Sequence, residues 1–283
     1  MASEKKLRKV ERALLEISSI DPVCSVELRL VADCLARVKV DESMSASTSS
    51  SAPSKVAIIG VQGGLTPRGS WFGTSLSGLA AQVRRAAADA DVASIVLDID
   101  SPGGTVSGTP EAAAAVREAA GQKPVVAIAN MLAASAAYWI GSQASEFVMA
   151  PSADVGSIGA MILHQDVSGM LEQWGIKMTM IRSEQSPLKN EAHPFGPLSQ
   201  DAQGFLQQRA NEAGADFIKA VAGGRRVTQT KVRDDFGQGR VYGAREAVAR
   251  GMADRVATLD EVIAGLVQKM PTRSRRRSAL AFE

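Results

Sequence analysis

The chain has 283 residues, of which 45% are hydrophobic and 22% charged, a balance typical of one large globular domain or two small ones. The formal net charge of +2 gives no overall reason to expect nucleic-acid binding, and two cysteines are too few for a disulfide framework or a cysteine metal site. Aromatic residues make up only 4%, so we expect a core of small and β-branched side chains.

The two ends of the chain differ from its centre. Residues 1–40 place apolar side chains at near-helical spacing, which predicts an N-terminal helical segment containing both Cys24 and Cys34. Charges run through the start of this segment, so we expect no secretory signal. The Ser-rich run at 41–54 predicts a flexible linker, and the arginine-rich tail at 269–283 predicts a solvated, disordered end.

In the main domain, residues 55–268, short β-branched runs alternate with alanine-rich runs. The predicted strands are Val56–Val61, Ser94–Ile99, Val125–Ala129, Phe147–Met149, Ser157–Leu163 and Met178–Ile181. The predicted helices are Leu76–Ala90, Pro110–Ala120, Ala133–Ser142, Val167–Trp174 and Ser199–Val221, followed by a turn at Gly223-Gly224 and a helix–strand–helix unit from Gly243 to Val267. The alternation predicts an α/β fold with a largely parallel sheet covered on both faces.

One stretch of the main domain, residues 124–145, carries no charge and is nominally long enough to cross a bilayer. It begins with Pro124, contains Asn130 and Gln143, and is otherwise rich in weakly apolar alanine. We therefore expect a buried strand followed by a buried helix, in a cytoplasmic protein without a membrane anchor.

Two motifs follow predicted strands, where an α/β sheet presents its active site. In Ser101-Pro-Gly-Gly104 the glycines permit backbone conformations closed to other residues, and free amides at such a turn can hold an oxyanion. The tetrapeptide is also a common turn. Ser135 stands alone among alanines in the segment Met131–Ile140, where a serine is also commonly a helix cap or a packed small residue.

Taken in order with Asp154-Val-Gly-Ser-Ile-Gly159 and Lys189, these motifs resemble the signal peptide peptidase A family of Ser–Lys peptidases. The resemblance continues through Gly239–Ala247 and Gly251–Val256, so it covers about residues 55–265. It implies a Clp protease/crotonase-like α/β spiral with a mostly parallel sheet.

The resemblance also implies a role for particular residues. Ser135 corresponds to the nucleophile, Lys189 to the general base and Ser157 to the hydroxyl that positions the lysine. Oxyanion amides would come from Gly103, Gly104 and Ala136. The chain departs from the family pattern in having Ala136-Ala137 where Gly-Gly is common, and in the residues that precede Lys189.

A lysine base needs a special environment. Its amine has a solution pKa of about 10.4 and accepts a proton at neutral pH only where burial lowers that value. The uncharged surroundings of Ser135 suit this requirement. Glu184 and Glu191 are close to Lys189 in sequence and would favour the ammonium, so we expect both to point away from it.

Other chemistry remains open. A Ser–His–Asp triad would have to use His164 or His193, the two histidines of the chain. The Ser186-Pro-Leu-Lys189 tetrapeptide matches a penicillin-binding motif but lacks its Lys-Thr-Gly companion, so we regard it as coincidental. Four aspartates are expected to be caps and turn residues rather than metal ligands: Asp98, Asp100, Asp154 and Asp166. We expect neither a metal nor another cofactor.

The resemblance implies an endopeptidase that acts through an acyl-enzyme on a protein or peptide substrate. Because the chain shows no anchor and Lys189–Leu198 resembles the phage branch, we favour a prohead protease that cuts scaffold or itself, in the host cytoplasm or the procapsid. Scaffold and capsid proteins would then be its partners. The family also implies a homo-oligomeric ring in which Ser135 and Lys189 come from neighbouring subunits. The alternatives are a cytosolic bacterial signal-peptide-peptidase-like enzyme, a non-catalytic assembly protein and a crotonase-like acyl-CoA enzyme.

Overall fold

The computed structural model describes residues 23–24 and 55–269, which form nine strands and eight helices. The strands are β1 (Val23–Cys24), β2 (Lys55–Leu65), β3 (Val92–Gly104), β4 (Val125–Ala134), β5 (Glu146–Met149), β6 (Asp154–Gly156), β7 (Met161–Ile162), β8 (Val241–Gly243) and β9 (Arg255–Val256). The helices are α1 (Leu76–Ala88), α2 (Thr109–Ala120), α3 (Ala136–Gly141), α4 (Ser168–Gln173), α5 (Gln200–Arg225), α6 (Gln229–Asp235), α7 (Ala244–Arg250) and α8 (Leu259–Gln268).

The main sheet has seven strands. Five of them lie in the order β2-β3-β4-β5-β9, and each neighbouring pair is parallel. β6 runs parallel to β4 and antiparallel to β8, while β1 and β7 form a separate antiparallel ladder. The predicted α/β fold with a mostly parallel sheet is confirmed.

Apolar side chains cover both faces of this sheet, as expected for parallel strands. Helices α1, α2, α3 and α5 cover one face through buried residues that include Leu79, Val116 and Phe217. The other face carries a smaller cluster around Val96 and Ile128, over which α8 packs through Val262. β3 is therefore buried from both sides over most of its length, which fixes the position of the motif at its end.

β4 changes partner part-way along its length, and this change positions the motifs. Val126–Ala129 pairs with β5, whereas Leu132–Ala134 pairs with β6. On its other side β4 remains beside β3, with Ser101 opposite Ala133. The carboxyl ends of β3, β4 and β6 therefore meet at one edge of the sheet, which is where an α/β fold places its functional residues.

Hydroxyl side chains define where several helices begin. Ser75 accepts a hydrogen bond from the Gly78 N–H at the start of α1. Thr258 and Glu261 form a reciprocal capping box at the start of α8. The predicted buried strand and helix at 124–145 are confirmed as β4 and α3. Within residues 23–24 and 55–269, no helix is both long and apolar enough to cross a bilayer.

Four predictions about elements within residues 55–269 are wrong. The strand predicted at Ser157–Leu163 is reduced to the two residues of β7. The helix predicted from Ala133 begins at Ala136, because pairing with β3 and β6 keeps Ala133 and Ala134 extended. The predicted turn at Gly223-Gly224 lies inside α5, where a Cβ on Gly224 would lie 2.1 Å from the Ser142 carbonyl oxygen. Glycine is needed there for close packing rather than for a turn. The predicted strand Met178–Ile181 is an exposed segment without regular structure.

The predicted N-terminal helical segment, residues 1–40, lies outside the described residues except for Val23 and Cys24. These two residues form β1 and pair with Ile162 and Met161, so the helical prediction is wrong at both positions. The predicted linker at 41–54 and all but the first residue of the predicted tail at 269–283 also lie outside the described residues.

An ion pair connects the end of α5 with the turn before β9. The Arg225 side chain, only 7% exposed, donates to both carboxylate oxygens of Asp254 at 2.7 and 2.9 Å. The same carboxylate accepts a 2.7 Å hydrogen bond from the Phe147 N–H. Burial raises the pKa of Asp254, but the hydrogen bonds from Arg225 and Phe147 outweigh it and hold the pKa below the ordinary value of 3.8.

Asp254→Asn should lower the free energy of unfolding at pH 7 by about 1–2 kcal/mol, at the low end for hydrogen bonds to a charged group because the Asp254 side chain is 41% exposed and screened by solvent. A depressed folded pKa contributes stability above the unfolded pKa and loses it as pH falls through the folded value. The deficit of the variant should therefore shrink between pH 7 and pH 3 in denaturant unfolding. Asp216→Asn, at an exposed carboxylate on α5, is the control. A deficit independent of pH would contradict this account.

Candidate active site

Ser135 lies between β4 and α3 in an unusual backbone conformation. Its φ of 54° and ψ of −126° fall in a region that non-glycine residues rarely adopt, and such strain persists where surrounding structure enforces it. The Ser135 N–H donates to the Gly156 carbonyl at 2.8 Å, and the Ser135 carbonyl accepts from the Trp139 N–H at 2.9 Å. These bonds fix the residue on both sides, so its side chain points in a defined direction.

The Ser135 hydroxyl is fully buried and forms no hydrogen bond with any residue that the structure describes. An unpaired buried hydroxyl is costly, and native structures satisfy most of them. The alternative interpretation of Ser135 as a helix cap is not supported, since its side chain makes no capping bond to α3.

Gly103 lies directly against Ser135. A Cβ on Gly103 would be 2.7 Å from the Ser135 Cβ, 2.9 Å from the Ala134 carbonyl oxygen and 3.0 Å from the Ala136 nitrogen. Gly103 also has a φ of +101°, which a residue with a Cβ adopts only under strain. The Ser101–Gly104 motif is therefore a turn that requires glycine so that it can approach the serine.

Ser101 links this turn to β2. Its side chain is fully buried, and its hydroxyl donates to the Gly63 carbonyl at 2.6 Å. The same oxygen accepts from the Gly103 N–H at 3.1 Å. The Gly103 amide is thus already paired, so Gly103 supplies space beside Ser135 rather than a donor. The sequence analysis assigned no role to Ser101, although it begins the motif.

The structure brings Ser157 close to Ser135 along the backbone. Gly156 pairs with Ala134 at the end of β4, and Ser157 follows it with a φ of +54°. The Ser157 N–H donates to the Arg240 carbonyl at 2.9 Å, which ties this turn to the segment before β8. Four of the residues predicted from the sequence therefore lie together at one edge of the sheet: Gly103, Ser135, Ala136 and Ser157.

Lys189 is not joined to this group in the single chain. It lies in an exposed turn, and no hydrogen bond among the described residues connects it with Ser135. Among the described residues its ammonium forms no ion pair, and the predicted orientation of Glu184 and Glu191 away from it stays a prediction. The burial that a lysine base requires is not supplied by its own chain.

The backbone around Lys189 is nonetheless held in place. Arg182 donates from Nε to the Lys189 carbonyl at 2.6 Å and from Nη2 to the Asn190 carbonyl at 3.1 Å. Asn190 has a φ of +55°, which helps close the turn. The sequence analysis did not identify Arg182, because no local pattern links an arginine to carbonyls seven and eight residues away.

Both histidines lie in the same exposed segment as Lys189. His164 Nε2 is 3.0 Å from the His193 carbonyl oxygen, and His193 Nδ1 accepts from the Phe195 N–H at 3.2 Å. Neither contacts the Ser135 hydroxyl, which has no partner among the described residues. The geometry of the described chain therefore gives no support to a Ser–His–Asp triad.

The four aspartates considered in the sequence analysis separate into two groups. Asp166 accepts from the Ser168 N–H at 2.9 Å, as expected of a turn residue. Asp98 and Asp100 instead lie within β3, and Asp154 within β6, so the prediction of caps and turns is wrong for these three. Burial raises the pKa of both Asp98 and Asp100, and the nearby charge of Asp98 raises that of Asp100 further.

A family model described as Peptidase family S49 matches residues 117–271, more than half of the chain and most of the segment that carries the motifs. The chain belongs to this family. Since the match includes Ser135, Ser157 and Lys189, it confirms the resemblance drawn from the motifs, while the role of each residue is a separate question.

Curated relatives include proteins of phages and of bacteria. Capsid assembly protease C of Escherichia phage lambda is 31% identical over 72% of this chain and 46% of its own length. Head-tail preconnector protein GP5 of Enterobacteria phage P21 is 31% identical over 67% of this chain and 37% of its own length. Protease 4 of Salmonella typhi is 34% identical over 65% of this chain and 29% of its own length. The chain thus spans less than half the length of these relatives.

Among solved structures, a mutant of the 1510-N membrane-bound stomatin-specific protease aligns with 74% of this S49 chain and 83% of its own chain. The TM-score is 0.50 and the sequence identity 15%, which shows a shared fold. The predicted Clp protease-like α/β fold is therefore confirmed by a protease neighbour as well as by the sheet order.

Proposed function

We propose that this S49 chain is a serine endopeptidase in which Ser135 is the nucleophile and Lys189 of a neighbouring copy is the general base. One observation carries the proposal: a strained, buried serine with an unpaired hydroxyl lies against a glycine turn at the carboxyl edge of the sheet. Strain and an unsatisfied hydroxyl both cost stability, and such costs are concentrated at functional sites.

In the proposed reaction each of these groups has one task. The neutral Lys189 amine takes the Ser135 proton while Oγ bonds to the substrate carbonyl carbon, and the carbonyl oxygen becomes an oxyanion. The Ala136 amide, next to the glycine turn, would stabilise this charge. The lysine then protonates the leaving amine, so that an acyl-enzyme remains. Water, deprotonated by the same lysine, attacks the acyl-enzyme and releases the acid, which restores the serine.

The exposed segment that carries Lys189 supports a base supplied by a second copy. Large apolar side chains are uncovered along it, with exposed fractions of 73% for Leu163, 64% for Trp174 and 91% for Ile181. Contact with a second copy of the chain would bury these side chains. Burial of the turn at Lys189 in the same contact would provide the dehydrated environment that a lysine base requires.

We further propose a protein substrate, bound as an added strand at the sheet edge, and a role in phage capsid maturation. The first part is supported by membership of a peptidase family, and main-chain hydrogen bonds would hold an extended peptide. The second part is supported by the similarity to capsid assembly protease C and to the preconnector protein. Similarity to Protease 4 supports the second candidate, a bacterial signal-peptide-peptidase-like enzyme.

A fluorophosphonate probe should attach to Ser135, because this reagent reacts with serines that are activated by a base and lie beside an oxyanion site. Peptide mass spectrometry of the labelled native protein should place the adduct on the peptide that contains Ser135. Ser135→Ala should abolish labelling, whereas Ser142→Ala, at another buried serine nearby, should leave it unchanged. An adduct on a different serine, or none on the assembled protein, would contradict the proposal and favour a non-catalytic assembly role.

A further inference from the structure

We propose that Ser101 is a positioning residue that holds the Gly103–Gly104 turn in its working place against Ser135. The inference rests on the proposed function, because it concerns the same site. Ser101 does not contact the Ser135 side chain through any hydrogen bond that the structure describes, so it acts through the turn rather than on the substrate.

The hydroxyl of Ser101 replaces sheet hydrogen bonds at a point where the ladder is irregular. The register of β2 and β3 shifts between Gln62 and Gly64, and that of β3 and β4 shifts between Ile99 and Ser101. Backbone groups at such irregularities need other partners. The Ser101 hydroxyl provides them, donating to the Gly63 carbonyl and accepting from the Gly103 N–H.

These two bonds determine where Gly103 lies relative to the nucleophile. A Cβ built on Gly103 would lie only 2.7 Å from the Ser135 Cβ, so the turn lies close enough to the nucleophile for a small shift of the turn to matter. Outward movement is limited by the bridge from Ser101 to Gly63. Because a shift of about 1 Å at a reacting centre can cost about 100-fold in rate, loss of this bridge should reduce catalysis without removing a reacting group.

The test compares two serines on one strand. Ser101 and Ser94 are both buried in β3, but the Ser94 hydroxyl has no hydrogen-bond partner among the described residues. Ser94→Ala therefore controls for loss of a buried hydroxyl. In steady-state peptide cleavage by the assembled protein, Ser101→Ala should lower kcat about 10- to 100-fold and leave KM nearly unchanged. This fall in kcat is smaller than the fall caused by removing a whole oxyanion donor. Ser94→Ala should remain within about twofold of wild type.

A second variant and a second measurement guard against a purely structural effect. Ser101→Cys keeps the size of the side chain and a weak donor, so its kcat should fall between those of wild type and Ser101→Ala. A peptide aldehyde forms a tetrahedral adduct with the nucleophile, and its affinity should weaken in parallel with kcat/KM. The affinity of an uncleaved peptide ligand should not change.

The outcomes separate this inference from the function on which it rests. If Ser135→Ala keeps peptidase activity, the proposed function fails irrespective of Ser101. If Ser135→Ala is inactive but Ser101→Ala and Ser101→Cys keep the wild-type kcat, the positioning role is wrong. It is also wrong if both variants lose activity only in proportion to loss of folded protein, measured by denaturant unfolding, or if Ser94→Ala has the same effect on kcat.

Discussion

Ser135→Ala and Lys189→Ala should each reduce peptide cleavage by about 10⁴- to 10⁶-fold, since removal of one member of a nucleophile–base unit disables the whole unit. Both variants should remain folded. The Ser135 hydroxyl has no hydrogen bond to lose within the described chain, and Lys189 is exposed in the single chain. Lys177→Ala is the matched control for Lys189, because this second lysine lies in the same exposed segment. It should retain wild-type activity.

A mixture of these two inactive variants tests whether the site is shared. The Ser135→Ala chain keeps Lys189, and the Lys189→Ala chain keeps Ser135. If neighbouring subunits contribute one residue each, random assembly of equal amounts restores about a quarter of the wild-type sites, because one ordered neighbour pair in four is intact. The mixture is unfolded and refolded together, and initial rates are compared with the rates of the separate variants.

A dyad within one chain predicts a different result. Every mixed assembly would then contain sites that lack one group or the other, and the rate would stay at the level of the separate variants. That outcome would contradict a shared site if wild-type protein that sediments as a monomer is also fully active. It would require Lys189 to move towards Ser135 within its own chain, out of the turn that Arg182 holds.

The parts of the fold that the sequence predicts well are those with strong local patterns. The first half of β3 is rich in β-branched residues, and α2 has Pro110 in its first turn after Gly108, so both elements are recognisable without tertiary information. Ala133 and Ala134 are different. Alanine favours a helix, and only their pairing with β3 and β6 makes them extended, which no local pattern shows. Gly224 is predicted in a turn for a similar reason, because its close packing against the Ser142 carbonyl is a tertiary contact that no local pattern shows.

The candidate site also combines residues that a local pattern reveals with contacts that only the folded chain reveals. The glycines and serines of the motifs are recognised because a turn beside a nucleophile needs those residue types in that order. The hydrogen bond from Ser101 to Gly63 connects residues 38 positions apart, so it depends on the pairing of β2 with β3. One copy of the fold does not bring Lys189 to the Ser135 hydroxyl, and no local sequence pattern indicates how the two residues would meet.

Gly103→Ala should eliminate detectable peptide cleavage by closing the site. The added Cβ would lie 2.7 Å from the Ser135 Cβ and 2.9 Å from the Ala134 carbonyl oxygen, so the turn or the nucleophile must shift. Overpacking of this kind costs about 1–3 kcal/mol, and alanine at positive φ adds about 1–2 kcal/mol. The free energy of unfolding should therefore fall by about 2–5 kcal/mol, and fluorophosphonate labelling of Ser135 should be lost in the fraction that remains folded.

Gly239→Ala separates the two causes of this effect. Gly239 has a φ of +93°, close to the +101° of Gly103, but no atom lies within 4 Å of its added Cβ. The Gly239 variant should therefore show the backbone cost alone, about 1–2 kcal/mol, and keep its labelling by the probe. Equal loss of labelling in both variants would mean that backbone strain, not contact with Ser135, accounts for the effect. Retained cleavage by Gly103→Ala would place the working nucleophile away from this turn.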